Sequence, residues 1–567
     1  MGTSPAVVAA LIGSVFGVTS HLGYFIHGEH HMQSGRILLS FLFGPILIFI
    51  GILRLDGSSS TAIAAKLTTI TSASYLTALS LSILTYRIFF HPLRNFPGPF
   101  SAKLSKLTHV LRVAKHSDSF RRADELHKKY GEIVRVGPNE LSIIIPEAVP
   151  AIGGSGSKCT KSAWYDVAGL PHKSLHLCRD RAAHDKRRKV WDRGFSAKGK
   201  TGFVQDGVDV EKSSAKLPQA LRDYEGRVTK YADDLTKQLT TFAGKPFDAS
   251  LWFNFYSFDV MGDLAFGRSF DMLKNGEQHH ALKTLQEAMA PLGILSPLPW
   301  IFPVVHYIPG ARDGIKGFID FCDQQIEKRK EKEPEVPDIM SWLIDAEKSS
   351  NDPIHKDPDW LHGDARLVVV AGSDTTASTL TYICYYLARS PEIVTRIRNE
   401  LKPIHQAGSP TESKDIQDAK YLNGVINEAL RLHPPVPSGL LRQTPSEGIT
   451  IGSTFIPGDV TISAPTWTMG RLESCYQHAE EFIPERWGDR PELVHDKAGF
   501  APFSAGPYSC IGKQLALMEL RVVVARIITQ FDVSFAPGED GTNLMTKTRD
   551  VFTLDVAPLM MIFMKRS

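Results

Sequence analysis

Three apolar stretches crowd the first ninety residues, at about Pro5 to Ile26, Ile37 to Leu53 and Leu67 to Phe90. Each approaches the ~20 residues a helix needs to cross a bilayer. They read as membrane helices, or, for one or two of them, as buried core helices. The middle stretch is the most apolar and the shortest, and the third is diluted by Ser and Thr. No basic segment precedes the first stretch and no cleavage site stands out, which argues against a removable signal peptide. Lys and Arg gather after the third stretch, at Arg87, Arg94, Lys103, Lys106, Arg112 and Lys115. The positive-inside rule then places that side in the cytosol. One or three spans put the N-terminus in the lumen; two put it in the cytosol. Phe96-Pro97-Gly98-Pro99 ends the region, its prolines stiffening the exit.

The rest of the chain has to fold on its own terms. Of 567 residues, 43% are hydrophobic and 22% charged, as in a globular protein. A net charge of +3 gives no reason to invoke nucleic acid. The six cysteines are scattered without C-x-x-C pairs. This argues against a disulfide framework and against a zinc site, and fits a chain facing the reducing cytosol.

One cysteine stands apart. Phe503-Ser504-Ala505-Gly506-Pro507-Tyr508-Ser509-Cys510-Ile511-Gly512 reads as a loop that presents Cys510. Gly506 and Pro507 mark a turn, and Gly512 permits close backbone approach. A long apolar helical pattern follows from about Leu515. Backbone N–H groups at that helix start favour a thiolate, which is a good ligand for haem iron. The spacing closely resembles the haem-ligand loop of the cytochrome P-450 family, F-x-x-G-x-R-x-C-x-G. Phe503, Gly506, Cys510 and Gly512 fit. Tyr508 stands where the family usually has Arg or His, which puts one usual contact to a haem propionate in question.

Three further motifs carry the same resemblance. Ala371-Gly372-Ser373-Asp374-Thr375-Thr376 follows the apolar run Leu367 to Val370 and matches the family's A/G-G-x-D/E-T-T at every position. An acid and hydroxyls inside a buried helix need partners. By the match, the Thr375 hydroxyl and the Asp374 carboxyl relay protons to dioxygen as its O–O bond breaks. Glu428-Ala429-Leu430-Arg431 and Pro484-Glu485-Arg486-Trp487 resemble E-x-x-R and P-E-R-W. The resemblance implies a buried network of Glu428, Arg431 and Arg486 that fixes the core and helps to retain haem. His184 and Arg188 occupy the family's W-x-x-x-R positions, with His for Trp, and lie on one face of a helix. They and Arg442 are the implied propionate donors.

The resemblance spans about Phe96 to the C-terminus. It implies a mainly α fold with a small β-rich side domain, preceded by N-terminal transmembrane helices. Residues 1–90 form the membrane region and 91–567 the haem-thiolate catalytic domain. Glu132 to Val136 and Glu140 to Ile145 read as a β-hairpin, and Trp252 to Asp259 as part of a core helix. The polar run Ala197 to Gln219 reads as an inserted surface loop or a retained intron. Leu292 to Val305, broken by prolines, resembles a lid over the substrate entrance that touches the membrane.

The implied activity is a monooxygenase in fungal secondary metabolism, hydroxylating or epoxidising a hydrophobic small molecule. It carries haem b on Cys510 and draws NADPH electrons from a separate reductase, with cytochrome b5 as a further donor. The implied location is the endoplasmic reticulum membrane, catalytic domain facing the cytosol. Two alternatives stay open on sequence alone: a reductase-independent isomerase or dehydratase acting on a peroxide, and a non-catalytic haem-binding membrane protein. Intact Asp374-Thr375 argues against the first; altered Tyr508 and His184 are the support for the second.

Overall fold

The computed structural model describes residues 4–55, 60–168, 172–195, 219–305, 307–310, 313–406 and 413–566. The chain divides into two compact units. The first holds Met1–Arg112, Ile133–Leu141 and Leu295–Asp313; the second holds Val113–Glu132, Ser142–Ile294 and Gly314–Ser567.

In the first unit the three apolar stretches are helices long enough to cross a membrane: Pro5–Phe25, His31–Arg54 and Thr61–Phe90. Ser60 caps the third helix, which therefore starts six residues before the apolar pattern does. Leu11, Phe16, Leu42 and Leu47 are all more than half exposed, an apolar surface that suits lipid rather than water. The first and third helices pack backbone to backbone. A Cβ on Gly13 would lie 2.3 Å from the Thr71 carbonyl oxygen, and one on Gly17 would lie 2.4 Å from that of Tyr75. Gly13-x-x-x-Gly17 is thus a small-residue stripe of the kind that lets membrane helices approach. His21 Nδ1 and Ser82 Oγ add a hydrogen bond of 2.7 Å between the same helices.

Below the third helix, Arg135 locks the proline-rich exit. Its N–H donates to Pro97 O at 2.7 Å, and its fully buried guanidinium donates to the carbonyls of Leu93, Gly137 and Pro138. The expected hairpin is present as Ile133–Gly137 and Glu140–Ile143. The proline-broken segment is two helical pieces. His280–Leu295 runs through Pro291, and Ile301–Val305 packs on the second apolar helix. Trp300, Tyr307 and Ile308 stay exposed.

The second unit is mainly helical. Its centre is Ala249–Phe266, buried on nearly every side, packed on the long helix Pro358–Arg389. Apolar and aromatic residues all round a helix leave it nowhere to sit but the core. The C-terminal helix Lys513–Gln530 is almost as deeply buried. The β structure is small. Thr160–Lys161, Arg442–Gln443 and Thr461–Ser463 pair antiparallel. Phe247–Asp248, Met560–Lys565 and Phe531–Phe535 form a second sheet. Of the polar run read as an insertion, residues 197–218 lie outside the described residues. Its last member, Gln219, is helical and opens Gln219–Thr241.

Candidate functional site

The cysteine loop is closed by the Cys510 N–H, which donates to Phe503 O at 2.8 Å. Gly506 has φ +60°, and a Cβ there would lie 2.2 Å from Gly153 O. Only glycine fits both demands. Gly512 is different. A Cβ there would touch nothing nearer than Cys510 Sγ at 3.8 Å. The packing of the described residues does not demand glycine there. Phe503 packs against the core on the inner side of the loop.

Cys510 presents accessible surface, yet protein atoms surround it. Burial pushes its thiol above the ordinary value, against the pull of the Gly512 N–H, Arg188, Lys513 and the Lys513 N–H. The N–H groups at the helix start pull toward the thiolate as expected, and burial pulls the other way. The donors reduce a desolvation penalty that they do not overcome. A bound metal cation would supply further stabilisation of the thiolate.

Beside this loop lies an unbalanced group of cations. Lys161 and Arg442 are both almost fully buried and stand directly opposite each other on paired strands. Like charges in that position repel. Neither forms an ion pair with a carboxylate among the described residues. Arg442 donates to Tyr165 Oη at 2.9 Å, and Lys161 to Leu175 O at 2.8 Å. Burial, then the Arg442 charge, pulls the Lys161 ammonium down to about 7. His176 and His184 are depressed to about 3 and about 4, by burial first and then by Lys161. His176 Nε2 is buried without a hydrogen-bond partner among the described residues. A buried cation pair and an orphaned imidazole nitrogen fit a bound group carrying two carboxylates, as haem does.

The two departures from the family pattern meet here. His184 packs edge-on against Tyr508, with ring centres 4.7 Å apart. The Tyr508 ring lies 4.9 Å from Lys161 Nζ, 4.9 Å from the Arg442 guanidinium and 5.4 Å from that of Arg181. An arginine at 508 would add another cation to this group; tyrosine offers the negative face of a ring instead. His184 bonds Asp185 Oδ1 at 2.9 Å. Arg188 pairs with Asp192 and donates to Ser509 O at 2.8 Å, tying its helix to the residue before Cys510. Sequence reasoning missed Lys161 and His176. No local pattern marks them: Thr160-Lys161-Ser162-Ala163-Trp164 is a mixed polar segment.

The long helix runs unbroken through Gly372. Its hydroxyls satisfy themselves on carbonyls one turn back: Ser373 on Val369, Thr375 on Ala371 at 2.8 Å, Thr379 on Thr375. This back-bonding is how a Ser/Thr-rich stretch survives inside a helix. Asp374 faces a cleft lined by Asn254, Leu285, Met289, Val551 and Leu554, with Asp555 opposite. Burial, reinforced by the Asp555 charge, raises its carboxyl to about 7. Trp164 is buried and stacks on Phe552, with ring centres 4.9 Å apart.

Glu428, Arg431 and Arg486 form the expected network, fully buried. Glu428 Oε1 accepts from Arg431 at 2.7 Å, Arg486 at 2.9 Å and the Ile483 N–H; Oε2 accepts from Arg431 and Trp487. The second positive charge is spread over main-chain carbonyls, Ala479 and Glu481 for Arg431, Gln477 and Leu493 for Arg486. One carboxylate thus holds two guanidiniums. Glu428→Ala is expected to destabilise by about 3–5 kcal/mol, because both are stranded. Chemical denaturation followed by tryptophan fluorescence checks this; a loss under 1 kcal/mol would place the network outside the stabilising core.

Comparison with known proteins gives one answer. The Cytochrome P450 family model matches residues 97–563. Cytochrome P450 monooxygenase FCK2 of Fusarium pseudograminearum is 41% identical over 98% of this chain and 97% of its own length. Cytochrome P450 monooxygenase lcsK of Purpureocillium lilacinum is 40% identical, covering 100% and 99%. Tryprostatin B 6-hydroxylase of Aspergillus fumigatus is 41% identical, covering 97% and 95%.

Proposed function

The chain belongs to the cytochrome P450 family, and from that premise we propose how its residues share the work. It is a haem-thiolate monooxygenase supplied with electrons from NADPH through a reductase. Bound haem supplies the splitting of dioxygen, one atom entering the substrate and the other leaving as water. Cys510 holds the iron. Phe503, Gly506 and Gly512 shape the loop. Arg442, Lys161, His176, His184 and Arg188 receive the propionates, and Tyr508 orders the cations among them. Thr375 and Asp374 carry protons toward the oxygen. Glu428, Arg431 and Arg486 brace the loop from behind.

The observation that carries this reading is the buried, unbalanced pair Lys161 and Arg442 beside the cysteine loop. On it rests an expected result. Tyr508→Phe keeps the ring and should hold haem as wild type does. Tyr508→Ala removes a platform facing three cations, each contact worth about 0.5–2 kcal/mol. It should lose haem to a scavenging apoglobin about tenfold faster. Equal rates in the two variants would remove Tyr508 from the cofactor site.

The reaction proposed is hydroxylation of a hydrophobic secondary metabolite. A relative bears the name tryprostatin B 6-hydroxylase, which supports this reaction class. Residues 1–90 serve as membrane region and 91–567 as catalytic domain. The proposed location is the endoplasmic reticulum, the catalytic domain in the cytosol, with cytochrome b5 as a second electron donor. The experiment is reconstitution with reductase and NADPH in vesicles, screening apolar fungal metabolites for oxygenated product. Turnover of a peroxide without NADPH would overturn the assignment.

A further inference from the structure

A second group of metal-ligating side chains lies away from the cysteine loop. His172 sits in the loop before the basic helix Arg181–Phe195. Asp323 and Glu327 lie one turn apart on the helix Asp313–Glu331, and Asp359 and His362 lie in the first turns of Pro358–Arg389. The donor atoms of His172, Asp323 and His362 all lie within 4.8 Å of one another. The two imidazoles stack with centres 5.4 Å apart.

The way the nitrogens are shared is informative. His172 Nε2 lies 3.0 Å from one oxygen of Asp323, and His362 Nδ1 lies 2.9 Å from the other. The outward nitrogens each meet a separate carboxylate: His172 Nδ1 faces Asp359 at 3.0 Å, and His362 Nε2 faces Glu327 at 3.1 Å. Carboxylates only accept, and a neutral imidazole has a single N–H. Two neutral rings can therefore serve two of the four contacts. If the N–H groups point outward to Asp359 and Glu327, two bare nitrogens converge on Asp323. Outer carboxylates fixing the rings of inner ligands are the usual second shell of a histidine-bound metal.

We propose that His172, His362 and Asp323 bind a divalent transition metal of the zinc class, with Asp359 and Glu327 orienting the two rings. Nitrogen and carboxylate donors select such an ion over calcium or magnesium. Three protein ligands leave a fourth position for water. Asp323, Asp359 and Glu327 bring three negative charges, which Arg366, acting on Asp323 and Asp359, and Lys330, 3.6 Å from Glu327, offset only in part. The ion would tie the His172 loop to both helices; the loop already meets the second through the Leu175 N–H, which donates to Asp364 Oδ1 at 2.7 Å. This inference stands apart from the haem chemistry and does not depend on it.

The test uses the full-length haem-loaded protein in detergent micelles, stripped with chelator and titrated with zinc chloride alone. Bound zinc is counted by elemental mass spectrometry, and affinity is read by competition with a chromophoric chelator. Wild type should retain one zinc per chain more than a His172→Ala/His362→Ala double variant. Asp359→Asn, which leaves all three ligands in place, should weaken binding by about 10–100-fold. Should the double variant fail to take up haem, the zinc X-ray absorption edge of wild type decides, since this site requires two nitrogen neighbours at about 2.0 Å. Equal zinc in wild type and a haem-loaded double variant overturns the proposal. So does an edge spectrum without two histidine nitrogens.

Discussion

Replacing Cys510 with His is expected to abolish monooxygenase activity and to remove the long-wavelength absorption that reduced thiolate-ligated haem shows with carbon monoxide. The thiolate is the only group in the loop that can push electron density toward the oxygen, and imidazole is a poor substitute. The structure sharpens the prediction. Burial raises the Cys510 thiol despite the N–H groups and cations around it, so the protein alone does not prepare the thiolate. Bound iron would. Haem-free protein should then alkylate slowly at Cys510 with iodoacetamide at pH 7, and its reaction should accelerate only as pH rises past the ordinary thiol range. Peptide mass spectrometry resolves Cys510 from the other five cysteines. Rapid alkylation at pH 7 would show that the loop favours the thiolate after all. A Cys510→His protein that kept the original absorption band would remove Cys510 as the ligand.

Thr375→Ala should leave haem binding and substrate binding close to wild type, yet lower product formed per NADPH. The side chain bonds only its own helix, at Ala371 O, so its removal leaves no distant partner unsatisfied. Reduction and oxygen uptake need no proton from it. Without it, oxygen departs as hydrogen peroxide and NADPH is consumed without product. Acid–base contributions of this kind are worth about 10²–10⁴-fold. Asp374 gives the relay a pH signature. Its carboxyl titrates near 7, so its proton-donating form declines as pH rises through that value. The sign for stability runs the same way. A carboxyl raised in the folded state contributes stability below its ordinary range, and that contribution is lost as pH rises through about 7. Product per NADPH should fall over that window in wild type, and Asp374→Asn should flatten the profile. Unchanged coupling in a folded Thr375→Ala enzyme would refute the relay.

The sequence by itself determined the parts whose information is local. Twenty apolar residues can only be a membrane or core helix, so three helices were legible in Pro5 to Phe90 without contacts. The cysteine loop, Asp374-Thr375 and the pair Glu428 and Arg431 are written in short motifs. In each, spacing along the chain sets the geometry. The aromatic run Trp252 to Asp259 likewise read as core, and it is buried.

What only the tertiary structure decided depends on residues far apart in the chain. Lys161 and Arg442 become a repelling pair because two short strands align them, and no local pattern records that register. His184 and Tyr508, read separately as departures, turn out to pack on each other across more than three hundred residues. The direction of the Cys510 shift belongs to the same class. The helix start that favours a thiolate is visible in the loop, while the burial that outweighs it comes from the rest of the fold. His172, Asp323 and His362 are unremarkable in the sequence, and converge only because a loop and two helices bring them within reach. Local bonding is encoded by neighbours; desolvation and charge balance are sums over everything nearby in space, and only the folded chain performs the sum.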